Sequence, residues 1–181
     1  EGAEDDARAG RHDVVIGVAA SGTTPFTLAA LRAARACKAV TIAVASNPDA
    51  PLLKAAAYPI LADTGSEIIA GSTRMKAGTA QKIVLNLLSS AVMVRLGRIH
   101  RGLMVNMRPT NAKLRARAEA MVMRLCDCPR NAARAALDAA GGDVKIAVLL
   151  RAGASLARAR RLLRAHADNL RAALAAFGAK A

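Results

Sequence analysis

Aromatic side chains are almost absent: the 181 residues include no tryptophan, one tyrosine and two phenylalanines. A core must therefore be filled by aliphatic groups, and a surface that grips exposed bases by ring stacking is disfavoured. Acidic residues are scarce as well, 13 against 27 lysines and arginines, which leaves a formal charge of +14. A charge of that size attracts phosphates. Most of the arginines, however, lie beyond Arg95 in alanine-rich helical stretches with no rings between them, so the reading is solvated arginine faces and no nucleic-acid partner. Cysteine is limited to Cys37, Cys126 and Cys128. An odd number in a chain without a secretory leader predicts reduced thiols and a cytoplasmic location. Cys126 and Cys128 have no second pair, and His100 and His166 stand far off, so no zinc site and no metal is expected. Long hydrophobic runs are missing too. The most apolar stretch, residues 83–96, is interrupted by Asn86, Ser89, Ser90 and Arg95; it reads as a buried helix short of a bilayer span, hence no membrane partner.

What remains is alanine, leucine, valine and arginine, in a length that holds one substantial core and a small appendage. Residues 14–20 form an unbroken apolar run and residues 40–45 a β-branched one, and both read as strands covered on both faces. Between them, residues 25–38 open on a proline suited to a first helical turn and space Phe26, Leu28, Leu31 and Ala34 along one side. Strand, helix and strand within thirty or so residues is the pattern of a parallel sheet with right-handed crossovers. A weak helix over 51–57 and a third run at 58–61 extend it. A long helix is predicted over 75–96, its free N–H groups capped by Ser72 or Thr73. After Gly97 the character changes, and short helices are expected at 113–124, 131–140, 144–150, 155–165 and 169–177. The fold class predicted is α/β, a three-layer sandwich with a parallel sheet over residues 1–124, followed by a helical subdomain over 125–181. The edge of so narrow a sheet would be an exposed apolar liability, so further strands are expected before residue 1.

Two loops carry the chemistry. Ala19-Ala20-Ser21-Gly22-Thr23-Thr24-Pro25 lies where a parallel strand ends and a helix begins, the edge at which open α/β sheets bind ligands. Ser21, Thr23 and Thr24 supply hydroxyls, Gly22 permits close backbone approach, and the helix end favours an anion such as phosphate. An ordinary hydroxyl-rich helix cap reads the same string equally well. The second loop combines Gly65-Ser66-Glu67 with Gly71-Ser72-Thr73-Arg74-Met75-Lys76-Ala77-Gly78-Thr79, small polar residues and two cations that can line a polar ligand.

The strings Val15-Ile16-Gly17-Val18-Ala19-Ala20-Ser21-Gly22, Gly71 through Lys82, and Gly102-Leu103-Met104-Val105 with Pro109-Thr110-Asn111 resemble the N-acetylmuramic acid 6-phosphate etherases. These are proteins of the sugar isomerase (SIS) fold, shared with glucosamine-6-phosphate synthase and the glucokinase regulatory protein. The resemblance runs over nearly the whole chain and implies a carbon-oxygen lyase without cofactor or metal. Its substrate would be a phosphorylated amino sugar from cell-wall recycling, and its likeness to SIS proteins implies a homodimer. It also implies site roles: Glu4 as the base at C2, and Ser21, Gly22, Thr23, Thr24, Glu67, Ser72, Thr73 and Lys76 around the sugar phosphate. For Glu67 a ligand-orienting role and a structural hydrogen-bonding role stand level. A second glutamate and a first Gly-Thr-Ser loop of such families would precede residue 1, so the chain alone is expected to be inactive. Two positions depart from the pattern: Thr23 stands where arginine is frequent, and Asn106 where aspartate is common. A sensor of sugar phosphates without catalysis is the alternative.

Overall fold

The β-branched runs and the helices between them build one sheet. The computed structural model describes residues 10–179, and in it β1 (Val14–Val18), β2 (Val40–Ala45) and β3 (Tyr58–Leu61) lie side by side in that order. Both pairings are parallel, with Val14 opposite Val40 and Ile42 opposite Tyr58. α1 (Pro25–Ala36) and α2 (Pro51–Ala55) make the crossovers. Each begins on a proline, whose fixed φ suits the first turn and whose missing N–H would have had no partner there. Leu31, Ala43, Ala45, Ala50, Leu52 and Leu53 form the core under these helices. Thr41 is buried on the same side of β2, and its hydroxyl accepts the N–H of Ala57 at 3.0 Å, which meets its hydrogen-bonding need.

On the other side of the sheet the outcome differs from the sequence reading. Val14, Val40 and Tyr58 are 57%, 40% and 62% exposed. Strands covered on both faces were expected; only the second half of β2 is buried throughout, because α1 and α2 pack on one side and leave the alternate side chains uncovered among the described residues. The long helix α3 (Lys76–Arg95) is also corrected. It buries only Ala77, and Ile83, Leu87 and Val94 are exposed. Its apolar residues are spread around the axis and present no single stripe for a neighbour to cover. An 18-residue window within its 20 residues has a mean hydropathy of 1.2, so by length and composition alone the helix, longer than the stretch 83–96 considered from sequence, could cross a bilayer.

The chain divides into two compact units, one ending at Leu88 and the other beginning at Ser89; position 124, the boundary expected from composition, lies within the second. In that unit the end of α3 is followed by a hairpin the sequence reading did not include, β4 (Ile99–His100) against β5 (Leu103–Met104), antiparallel. Arg101 and Gly102 turn it with φ of 47° and 75°, the paired positive values that match strand twist in a two-residue turn. Five helices follow: α4 (Ala112–Cys126), α5 (Arg130–Ala139), α6 (Val144–Arg151), α7 (Leu156–Ala165) and α8 (Leu170–Phe177). Their starts are set by side chains that accept orphan N–H groups, Asn111 from Leu114, Asp143 from Lys145 and Ile146, Ser155 from Arg158 and Asn169 from Ala172. Met121, Val122, Leu137, Val144, Leu149, Leu163, Leu170 and Leu174 fill the interior between them. Glu119 is buried yet stays charged, because Arg134 donates to it at 2.9 Å and holds its carboxyl below the ordinary range.

His100 is 3% exposed and its Nδ1 has no hydrogen-bond partner. Burial, and then the charges of Arg101 and Arg171, lower its pKa. Neutral His100 therefore adds stability above the unfolded value of about 6.5, and that contribution is lost as pH falls below it. The melting temperature of the chain should drop between about pH 6.5 and 5, and His100→Gln should flatten that part of the profile. An unchanged slope in the variant would assign the pH dependence to another group.

Candidate functional site

The turn after β1 is held by the turn after β2. The N–H of Ser46 bonds to the carbonyl of Ala20 at 2.9 Å, Asn47 Nδ2 donates to the carbonyl of Ser21 at 3.2 Å, and the N–H of Leu52 bonds to the carbonyl of Gly22 at 3.1 Å. At Gly22, φ is +66°, and a Cβ there would stand 2.4 Å from the Cβ of Ala50 and 3.0 Å from that of Ala45. No other residue fits without moving one of the two turns. Ser21 Oγ accepts from the N–H and the hydroxyl of Thr23, at 3.3 and 3.0 Å. Thr24 is the N-cap of α1, but its side chain makes no capping bond. With no N–H on Pro25 and no side-chain cap, the N–H groups that follow the proline are left uncapped at the start of α1, and an uncapped helix start favours an anion.

The second loop is arranged otherwise. Glu67 Oε1 accepts the N–H groups of Lys76 and Ala77, each at 3.0 Å, and Oε2 accepts that of Lys76 at 3.1 Å. Glu67, rather than Ser72 or Thr73, closes the start of α3. Those two N–H bonds, led by Ala77, hold its carboxyl below the ordinary range, with the Lys76 charge adding to them. Lys76 Nζ donates to the carbonyl of Ser66 at 2.7 Å, fastening the loop a second time. The N–H of Ser72 bonds to the carbonyl of Ile69, and the carbonyl of Thr73 accepts from Gly78.

The expected site residues thus fall in two places: Ser21, Gly22, Thr23 and Thr24 between β1 and α1, and Glu67, Ser72, Thr73 and Lys76 around the start of α3, where hydrogen bonds join Glu67 to Lys76 but neither of them to Ser72 or Thr73. No hydrogen bond joins the two groups among the described residues. A cavity of about 520 Å³ in this part of the chain lies instead against Arg32, Arg35, Asp49, Pro51 and Lys54. Glu4 falls outside the described residues. Asn47 and Ala50 were not anticipated. They sit in a Ser-Asn-Pro turn that reads as punctuation, and their role of pinning Ser21 and Gly22 becomes visible only once β1 and β2 pair. Cys126 is half-buried, and burial, reinforced by Cys128, pushes its thiol up to about 11, which removes it as a nucleophile.

A parallel sheet whose polar turns share one edge, with a helix start open to an anion, defines a class of small-molecule binding domain. Residues 2–91 match the SIS domain, and the chain belongs to the SIS-domain proteins, aligning with the C-terminal portion of the N-acetylmuramic acid 6-phosphate etherases. It is 54% identical over 160 residues to the N-acetylmuramic acid 6-phosphate etherase of Deinococcus radiodurans, covering 83% of this chain and 52% of that protein. Identity to the enzyme of the same name from Symbiobacterium thermophilum is 50%, over 82% of this chain and 53% of that one. For the protein of Rubrobacter xylanophilus it is 45%, over 96% and 61%. The chain spans about half the length of these curated relatives.

Substitution of Gly22 separates close approach from backbone strain. Gly65 has a similar φ of +63° with open space around it. Gly65→Ala should cost about 1 kcal/mol and Gly22→Ala roughly 2–4 kcal/mol in denaturant unfolding. Equal losses would mean that Ala50 does not press on the turn.

Proposed function

We propose that the protein containing this chain cleaves the D-lactyl ether of N-acetylmuramic acid 6-phosphate, yielding N-acetylglucosamine 6-phosphate and D-lactate. The observation that carries this reading is the identity of 42–54% to proteins of that name, coupled to the hydroxyl-lined turn at the open start of α1. In the open-chain sugar the C1 aldehyde acidifies the hydrogen on C2. Glu4 takes that proton, the C3–O bond breaks with its electron pair leaving on lactate, and a proton donor neutralises the departing oxygen. Water then adds across the resulting C2–C3 double bond, its oxygen to C3 and a proton to C2. No redox change occurs, and the carboxylate base is regenerated when it delivers to C2 a proton that has exchanged with solvent.

In this scheme the α1 start, Ser21, Thr23 and Thr24 bind an anionic group of the sugar. Ser72 and Thr73 contact its polar face. Lys76 and Glu67 act indirectly by holding their loop on the start of α3. Thr23 in place of arginine leaves the helix end and the hydroxyls to bind without a local cation. A homodimer in the cytoplasm is the setting that the SIS likeness supports.

The protein at the length of its relatives should release D-lactate from N-acetylmuramic acid 6-phosphate, with one solvent deuterium incorporated at C2 in heavy water. Glu4→Gln should lower kcat by about 10²–10⁴-fold with KM little changed. Micromolar binding of the sugar phosphate with no lactate formed would favour the sensor reading instead.

A further inference from the structure

We propose that the helical unit carries a second small-ligand site, one that takes a hydroxylated oxyanion, either a phosphate ester or a carboxylate. A cavity of about 630 Å³ opens where three connecting segments converge. Asn106, Arg108 and Thr110 line it from the segment between β5 and α4, Gly141 and Gly142 from the α5–α6 turn, and Asp168 from the α7–α8 turn. Its floor is Lys145, whose side chain is 2% exposed. That lysine interrupts the otherwise apolar run Val144-Lys145-Ile146-Ala147-Val148-Leu149. Burying an ammonium is costly unless it is paired, and here Nζ donates to Asn106 Oδ1 and to the carboxylate of Asp168.

The hydrogen-bonding inventory of the wall gives the ligand class. Each carboxylate in or beside the wall has one oxygen tied to a donor. Asp168 is held by Lys145, Asp143 accepts the N–H groups of Lys145 and Ile146 at 2.8 and 3.0 Å, and Asp138 takes Arg115 at 2.8 Å. The donors are not all engaged. Asn106 spends its carbonyl oxygen on Lys145, so the amide has two N–H groups left over. Among the described residues no partner is present for the Arg108 guanidinium or the Thr110 hydroxyl. A wall with a guanidinium, a hydroxyl and amide N–H groups to spare, and with its Asp168 carboxylate held by Lys145, favours an oxyanion. Arg108 supplies the charge, and Thr110 with the Asn106 amide can meet further oxygens of the ligand. Asp168 and Ala167 have φ of 62° and 50°, strained values for non-glycine residues. The Lys145 pair fixes that turn, so the wall is built before any ligand arrives.

The site rests on side chains of the second unit alone, and its test is independent of the lyase reading. Amide resonances of the 181-residue chain would be followed by NMR during titration with inorganic phosphate, glucose 6-phosphate and D-lactate in turn, at constant ionic strength. The expected result is saturable shifts at Asn106, Thr110, Gly141 and Gly142 with at least one probe, and affinity reduced about tenfold or more by Arg108→Ala. Arg108 is exposed, so the variant should fold, and Thr110→Val should give a smaller loss in the same direction. Saturation by both phosphate probes assigns a phosphate ester; saturation by lactate alone assigns a carboxylate. Shifts that fail to saturate, that lie elsewhere, or that persist unchanged in Arg108→Ala would overturn the proposal.

Discussion

The first unit depends on how closely two turns at one edge of a parallel sheet can approach. β1 and β2 run in the same direction, so the segments that leave them emerge together. Gly22 then lies within van der Waals reach of Ala45 and Ala50, where any side chain would collide. That contact fixes the backbone of Ser21 through Thr24. It also aims the uncapped start of α1 at the space where an anion would sit. A sheet made for packing thus makes a binding edge without further machinery, which is the general property of open α/β sheets.

The two loops of the expected site solve the problem of a helix start in opposite ways. α1 has no side-chain cap, whereas α3 closes its first N–H groups with Glu67. A carboxylate already accepting two backbone N–H groups is poorly available for a ligand. Its contribution is to hold Ser66 through Lys76 in one conformation, and the bond from Lys76 Nζ to Ser66 does the same from the other end. Of the two loops, only the one before α3 has its helix start closed by a side chain.

Much of this was legible in the sequence, and the parts that were not share a cause. The strands at 14–18, 40–45 and 58–61 and every helix after 111 follow from apolar runs, prolines and capping residues that act locally. The position of the loop before α1 was legible because Ser21-Gly22-Thr23-Thr24-Pro25 follows an apolar run and ends on a proline suited to a first helical turn. The Glu67 cap was not, because it bridges nine residues, beyond the three-residue spacing of a capping box. The hairpin at 99–104 escaped because two-residue strands have no periodicity. The exposure of α3 depends on what covers it, which no local pattern states. The Lys145 cluster joins positions 106, 145 and 168; the one local sign was a charged residue in the midst of a buried run.

Positive charge is also distributed unevenly, most arginines lying in the helical unit. Its salt bridges engage Arg115, Arg130, Arg134 and Lys145, and Arg158 lies 4.6 Å from the ring centre of Phe177, so part of the charge is spent on internal cohesion. The central claim concerns the other unit, that the turns after β1 and before α3 together receive a phosphorylated sugar. Hydrogen-exchange mass spectrometry of the protein with and without N-acetylglucosamine 6-phosphate tests it most directly. The account predicts slowed exchange in peptides spanning residues 20–28 and 66–79. Slowing in neither segment at saturating ligand, or in only one of them, would contradict it.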